Sequence, residues 1–104
     1  GAACREAGIR FSYHNHGWEL EPRPGPTALD RLATATDPDL VAFQLDVYWA
    51  LVAGVDPVAW IRNHPGRVPT LHAKELAHGD ERRDTTIGDG RNDWPALLAA
   101  ARAA

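Results

Sequence analysis

Three short apolar runs in this chain each end abruptly in residues that bind metal ions. Ile9-Arg10-Phe11-Ser12-Tyr13 runs into His14-Asn15-His16, Val41-Ala42-Phe43-Gln44-Leu45 into Asp46, and Val68-Pro69-Thr70-Leu71 into His72. The spacing is 32 positions from His14 to Asp46 and 26 from Asp46 to His72. A strand, a crossover helix and the return to the next strand take roughly 30 residues. Strands joined by such crossovers run parallel, so their C-terminal ends converge on one rim. An imidazole, a carboxylate and a second imidazole on one rim are the donor set of a divalent metal site.

The segments between these runs read as helices and loops. Residues 2–7 read as the end of a helix, with Gly8 closing it. Ile9 to Tyr13 reads as the first strand, and 17–26 as a loop ending in the Pro-rich run 22–26. Thr27 reads as the N-cap of a helix through Ala35, which Asp37-Pro38 then breaks. Val41 to Leu45 is the second strand. A short helical piece from Ala50 to Ala53 follows, closed by Gly54. Asp56 with Pro57 starts a further helix to about Asn63, with Val58 and Ile61 inward and Trp60 at its edge. Val68 to Ala73 is the third strand, 77–91 a long polar loop, and Asn92 or Asp93 caps the last helix. Strands alternating with helices predict a parallel α/β sheet.

Composition narrows the function classes. Of 104 residues, 44% are hydrophobic and 24% charged, and the net charge is -3. Nucleic-acid binding usually needs a clustered basic face. Here Arg82-Arg83 lies among Asp80, Glu81 and Asp84, so no such face is expected. No apolar run approaches the ~20 residues of a membrane span, so no membrane partner is expected. One cysteine, Cys4, rules out an internal disulfide framework and fits a reducing, cytoplasmic setting. Three parallel strands also leave unpaired edges and an uncovered sheet face. Both ends of the chain are helix-like and it opens without Met. The chain therefore reads as a segment of a closed barrel, about three of eight repeats.

Tyr13-His14-Asn15-His16-Gly17-Trp18-Glu19, Leu45-Asp46-Val47-Tyr48-Trp49 and Leu71-His72-Ala73-Lys74-Glu75 resemble the sugar phosphate isomerase/epimerase proteins with a xylose-isomerase-like TIM barrel. Ala53-Gly54-Val55-Asp56-Pro57 and Pro65-Gly66-Arg67-Val68-Pro69 are similar to that family's connecting segments. The resemblance implies a (β/α)8 TIM barrel fragment over residues 1–104, carrying strands five to seven, with the N-terminal half and the last strand outside it. It also implies a sugar or keto-sugar substrate and one divalent ion, Mn, Mg, Zn or Co. The family's ligands come from strands five to eight as Glu, Asp, His and Glu. Asp46 matches the Asp and His72 the His. Strand five here ends in His14-Asn15-His16, with Glu19 and Glu21 as the nearest carboxylates, and the last Glu would lie beyond Ala104.

Each candidate residue has a structural alternative. Asp46 is either a ligand or an N-cap, and His72 either a ligand or a core histidine. His14 and His16 share one face of an extended strand, where one ligates and the other binds substrate or moves protons, or both serve a loop network. Glu19 is a ligand, an acid/base or a solvated carboxylate. Trp49 and Tyr48 either stack on a sugar or pack under a short helix. Lys74 either meets a substrate oxyanion or pairs with Glu75 or Asp46, and Glu75 is a substrate-binding candidate. His64 and His78 read as surface residues near turns. Gly88-Asp89-Gly90 does not match a phosphate cradle. The expected chemistry is metal-assisted isomerisation, epimerisation or elimination through an enediolate. The alternatives are an incomplete, inactive barrel piece and, less favoured by the charge balance, an abasic-site endonuclease.

Overall fold

The computed structural model describes residues 1–79 and 82–104; Asp80 and Glu81, part of the expected long loop, lie outside it. In chain order the elements are α1 (Ala2–Glu6), β1 (Ser12–His14), a 3-10 turn (Trp18–Leu20), α2 (Ala28–Ala35), β2 (Ala42–Asp46), α3 (Val47–Val52), α4 (Pro57–Asn63), β3 (Thr70–His72), β4 (Glu75–Leu76), β5 (Asp84–Thr85) and α5 (Trp94–Ala103). β1, β2 and β3 form one parallel sheet in that order. This is part of the barrel fold predicted from the alternating pattern, with the sheet left open. Among the described residues nothing pairs with the outer edges of β1 and β3.

Period-two alternation sorts the sheet's side chains onto two faces. Tyr13, Phe43, Leu45 and Leu71 point to the helices and join Leu29, Ala33, Trp60, Ile61, Leu97 and Ala100 in one core. Fully burying each of the large members contributes ~1.5–3 kcal/mol. Trp60 lies inside this core, not at its edge, with its ring edge-on to Phe43 at 5.6 Å. The opposite face carries Ser12, His14, Gln44, Asp46, Thr70 and His72. The register sets His14 beside Gln44 and Asp46 beside His72.

Caps fix where the helices begin. Thr27 and Asp30 form a reciprocal capping box on α2, and Asp56 and Asp93 cap α4 and α5. α3 starts three residues earlier than the Ala50 start predicted, because Asp46 caps it directly from the end of β2. Arg67 ties α2 to β2: its buried guanidinium donates to Ala33 O at 2.7 Å, Thr36 Oγ1 at 2.8 Å and Val41 O at 3.2 Å. The predicted long loop also contains structure, since β5 returns antiparallel to β4. No helix among the described residues is long and apolar enough to cross a membrane.

Candidate metal centre and its rim

The ends of β1, β2 and β3 bring His14, Asp46 and His72 together. One ligand atom from each lies within 4.8 Å of the other two. His14 Nε2 is 3.2 Å from Asp46 Oδ2, His72 Nδ1 is 3.7 Å from the same oxygen, and the two Nδ1 atoms are 3.4 Å apart. Donors bound to one ion at ~2.0–2.2 Å sit about 3.0–3.6 Å from each other. The 3.2 Å pair lies in this range and the 3.7 Å pair just beyond it, and imidazole and carboxylate are the donor types of a divalent cation site.

Asp46 is the N-cap of α3, and its second oxygen faces the rim. Oδ1 accepts the α3 backbone N–H groups of Tyr48 at 3.1 Å and Trp49 at 3.2 Å, while Oδ2 faces the two imidazoles. The cap orients the carboxylate, and the second oxygen remains for the rim. The residue is 1% exposed, so water does little to stabilise its charge. A buried carboxylate needs partners of this kind.

Two supporting residues were not singled out in the sequence. Asn15 is buried, and its Oδ1 accepts from the Asp46 backbone N–H at 2.9 Å. Its Nδ2 donates to His16 O at 3.2 Å. It thereby joins the end of β1 to the end of β2. Gln44 Oε1 lies 3.1 Å from His14 Nδ1. With Nδ1–H donating there, Nε2 would be left to ligate a cation shared with Asp46 Oδ2, the usual outer-shell arrangement for a metal-binding histidine. The signal for Gln44 is its place two residues before Asp46, which puts both on one face of β2.

The remaining candidates take distinct places. The exposed ring of His16 stacks on His14 at 5.2 Å and stands 5.8 Å from Trp49. Glu19 is buried rather than solvated: it accepts from Tyr13 Oη at 2.8 Å and from the His16 backbone N–H at 2.9 Å. Burial, and then the neighbouring Glu19, push the Tyr13 hydroxyl pKa above its ordinary value. Tyr48 is buried and donates to Arg82 O at 2.7 Å, while Trp49 is half-buried. Lys74 Nζ lies 4.0 Å over the Tyr48 ring and 5.5 Å from that of Trp49. Its ion pair is with Asp84 at 3.8 Å, not with the expected Glu75 or Asp46.

Glu75 turns into the fold. Its carboxylate accepts from the backbone of Gly88 and Asn92, from Asn92 Nδ2 and from Trp94 Nε1. Burial pushes its pKa up, but these bonds outweigh burial and hold it below the ordinary carboxylate value. Neither Glu19 nor Glu75 joins the His14, Asp46 and His72 cluster. His64, expected at the surface, stacks on Trp60 at 3.9 Å, and its Nδ1–H donates to Trp60 O at 2.8 Å. His78 is exposed.

With this geometry in view, the comparisons are informative. The chain is 36% identical over 76 residues to an inosose dehydratase of Geobacillus kaustophilus (strain HTA426), covering 72% of this chain and 24% of that protein. It is 31% identical over 117 residues to an inosose dehydratase of Lacticaseibacillus casei, covering 96% of this chain and 38% of that protein. A sugar phosphate isomerase/epimerase from Parabacteroides distasonis ATCC 8503 superposes with a TM-score of 0.77 at 36% identity, over 98% of this chain and 36% of that one. A second structure of that description gives 0.79 at 27% identity, over 98% and 38%. No family model matches. The chain thus spans between a quarter and two-fifths of the length of these relatives.

Proposed function

The chain belongs to the sugar phosphate isomerase/epimerase proteins of xylose-isomerase-like TIM-barrel type, and we propose that it forms strands five to seven of such a barrel and carries its reacting centre. The activity is proton transfer at a carbon beside the carbonyl of a sugar or keto-sugar, leading to isomerisation, epimerisation or elimination of water. The observation that carries this reading is the convergence of His14 Nε2 and His72 Nδ1 on Asp46 Oδ2, at 3.2 and 3.7 Å.

His14, Asp46 and His72 would hold the cation. A divalent ion bound there supplies Lewis-acid polarisation of the carbonyl, which acidifies the adjacent carbon. The chain's own groups then handle the proton and the charge. His16, exposed on the same rim and stacked on His14, is the group placed to take the proton and return it. Glu19 holds the His16 backbone and thereby positions that imidazole. Lys74, held over Tyr48 and beside Trp49, gives a positive charge for the enediolate left behind. Trp49 offers a half-buried face against the C–H side of the sugar.

The test is elemental analysis and Mn²⁺ titration of the whole protein beside an Asp46→Ala, His72→Ala double variant. These are combined with deuterium uptake from D₂O into keto-sugars. Metal near one per chain that is absent from the variant, with uptake lost in parallel, is the expected result. Equal metal in both proteins, or none in either, overturns the assignment.

A further inference from the structure

A cleft of about 470 Å³ opens beside the metal centre, between the 3-10 turn and α3. Its walls include Trp18, Trp49, His16, Glu21 and Arg82, and none of His14, Asp46 or His72 lines it. Small-molecule sites fall at about 300–1,000 Å³ and combine apolar walls with a few polar groups. This cleft has that make-up. Trp18 is 59% exposed, so its indole is accessible from the cleft. Gly17 lets the chain pass against Trp49: a Cβ there would come within 3.3 Å of the indole. His16 is the wall shared with the reacting centre, since its ring stacks on His14 at 5.2 Å and faces Trp49 at 5.8 Å.

We propose that this cleft is a second sugar subsite, which takes a hydroxylated ring joined to the ring that reacts at His14, Asp46 and His72. The inference rests on the proposed function for the reacting ring, and it makes the substrate a disaccharide-sized glycoside. Two indoles suit the C–H face of a pyranose. The Glu21 carboxylate accepts hydroxyl protons and the Arg82 guanidinium donates to hydroxyl oxygens. Having one acid and one base on the walls favours a neutral polyol over a phosphate or a carboxylate. A ligand that fills the cleft and also reaches the triad passes His16, the wall the two share.

The test is calorimetric titration of the whole protein with methyl β-glucoside and with cellobiose. The proteins compared are wild type, Trp18→Ala, Arg82→Gln and His72→Ala. Cellobiose is expected to bind at least tenfold tighter than methyl β-glucoside to wild type. Trp18→Ala should remove that preference, and Arg82→Gln should reduce it. Trp18 is exposed, and Arg82 holds Tyr48 only through its backbone carbonyl, so both variants should fold. His72→Ala should keep the preference while losing metal, which separates this inference from the metal assignment. Equal affinity for the two sugars, no binding of either, or a Trp18→Ala loss shared equally by both overturns the subsite.

Discussion

At the scale of single residues, Glu75 shows how a candidate rim carboxylate becomes a structural one. Four donors from Gly88, Asn92 and Trp94 converge on its two oxygens, and they secure the path from β5 into α5. Gly90 passes so close that a Cβ would lie 2.6 Å from Glu75 Oε1, so only glycine fits there. Because the folded-state pKa lies below the ordinary 4.5, the ionised side chain adds stability at pH values above 4.5. That stability is lost as pH falls through the folded value. Glu75→Gln is therefore expected to cost about 2–4 kcal/mol at pH 7, from donors left without an ionised acceptor. The gap to wild type should narrow at pH 3. Urea unfolding at both pH values checks it, and an unchanged gap would mean the charge contributes nothing. The convergence of Asp46 and His72 on one rim was legible in the sequence because each ends an apolar run. Glu75 sits in the same kind of place, and its role was not legible. Its partners lie 13 to 19 residues away, at the end of the expected loop and the start of the last helix.

At the scale of elements, the junction of β2 and α3 carries Asp46, at the middle of the proposed reacting centre. From sequence, cap and ligand are alternatives for Asp46, and the helix expected from Ala50 begins at Val47. A carboxylate has two oxygens: Oδ1 caps α3, and Oδ2 faces His14 and His72, where the proposed cation would sit. The roles separate by substitution. Asn caps helices about as well as Asp, whereas Ala at a cap costs ~0.5–2 kcal/mol. Asp46→Asn should therefore keep wild-type stability to within about 1 kcal/mol while weakening Mn²⁺ binding by more than tenfold, since changes outside the ligand shell alone cost ~10–100-fold. Asp46→Ala should lose both metal and stability. Thermal unfolding without metal, run beside Mn²⁺ titration, reads the two effects apart. Equal stability losses in both variants would assign the cap to charge and not to geometry. The strand register was beyond sequence reading for a related reason. The apolar runs begin before the hydrogen-bonded strands, which cover only Ser12–His14, Ala42–Asp46 and Thr70–His72. Pro69 has no N–H to offer the ladder, while Phe11 O already accepts from the Ala42 N–H at 3.0 Å although it precedes β1.

At the scale of the whole molecule, the chain is an open slab. Its radius of gyration is 14.0 Å and its extents are 44 × 30 × 21 Å, against about 13 Å expected for a compact domain of this length. The barrel class was legible from the alternation of elements; the closure was not, because it depends on strands that would pair with β1 and β3. The centre is unevenly supported as a result. β2 has a neighbour on both sides and fixes Asp46, while His72 ends a three-residue edge strand and its side chain is 44% exposed. If further strands complete the barrel as proposed, they fix His72 and shield the carboxylate from water, and both effects strengthen cation binding. The 104-residue chain on its own is then expected to bind Mn²⁺ at least tenfold more weakly than the whole protein. Its β2 amides should resist hydrogen exchange longest, and those of β1 and β3 should exchange early. Titration of both proteins with Mn²⁺, with exchange read by mass spectrometry, decides the point. Equal affinity in the two would mean that three strands suffice to build the centre and that closing the barrel serves the substrate alone.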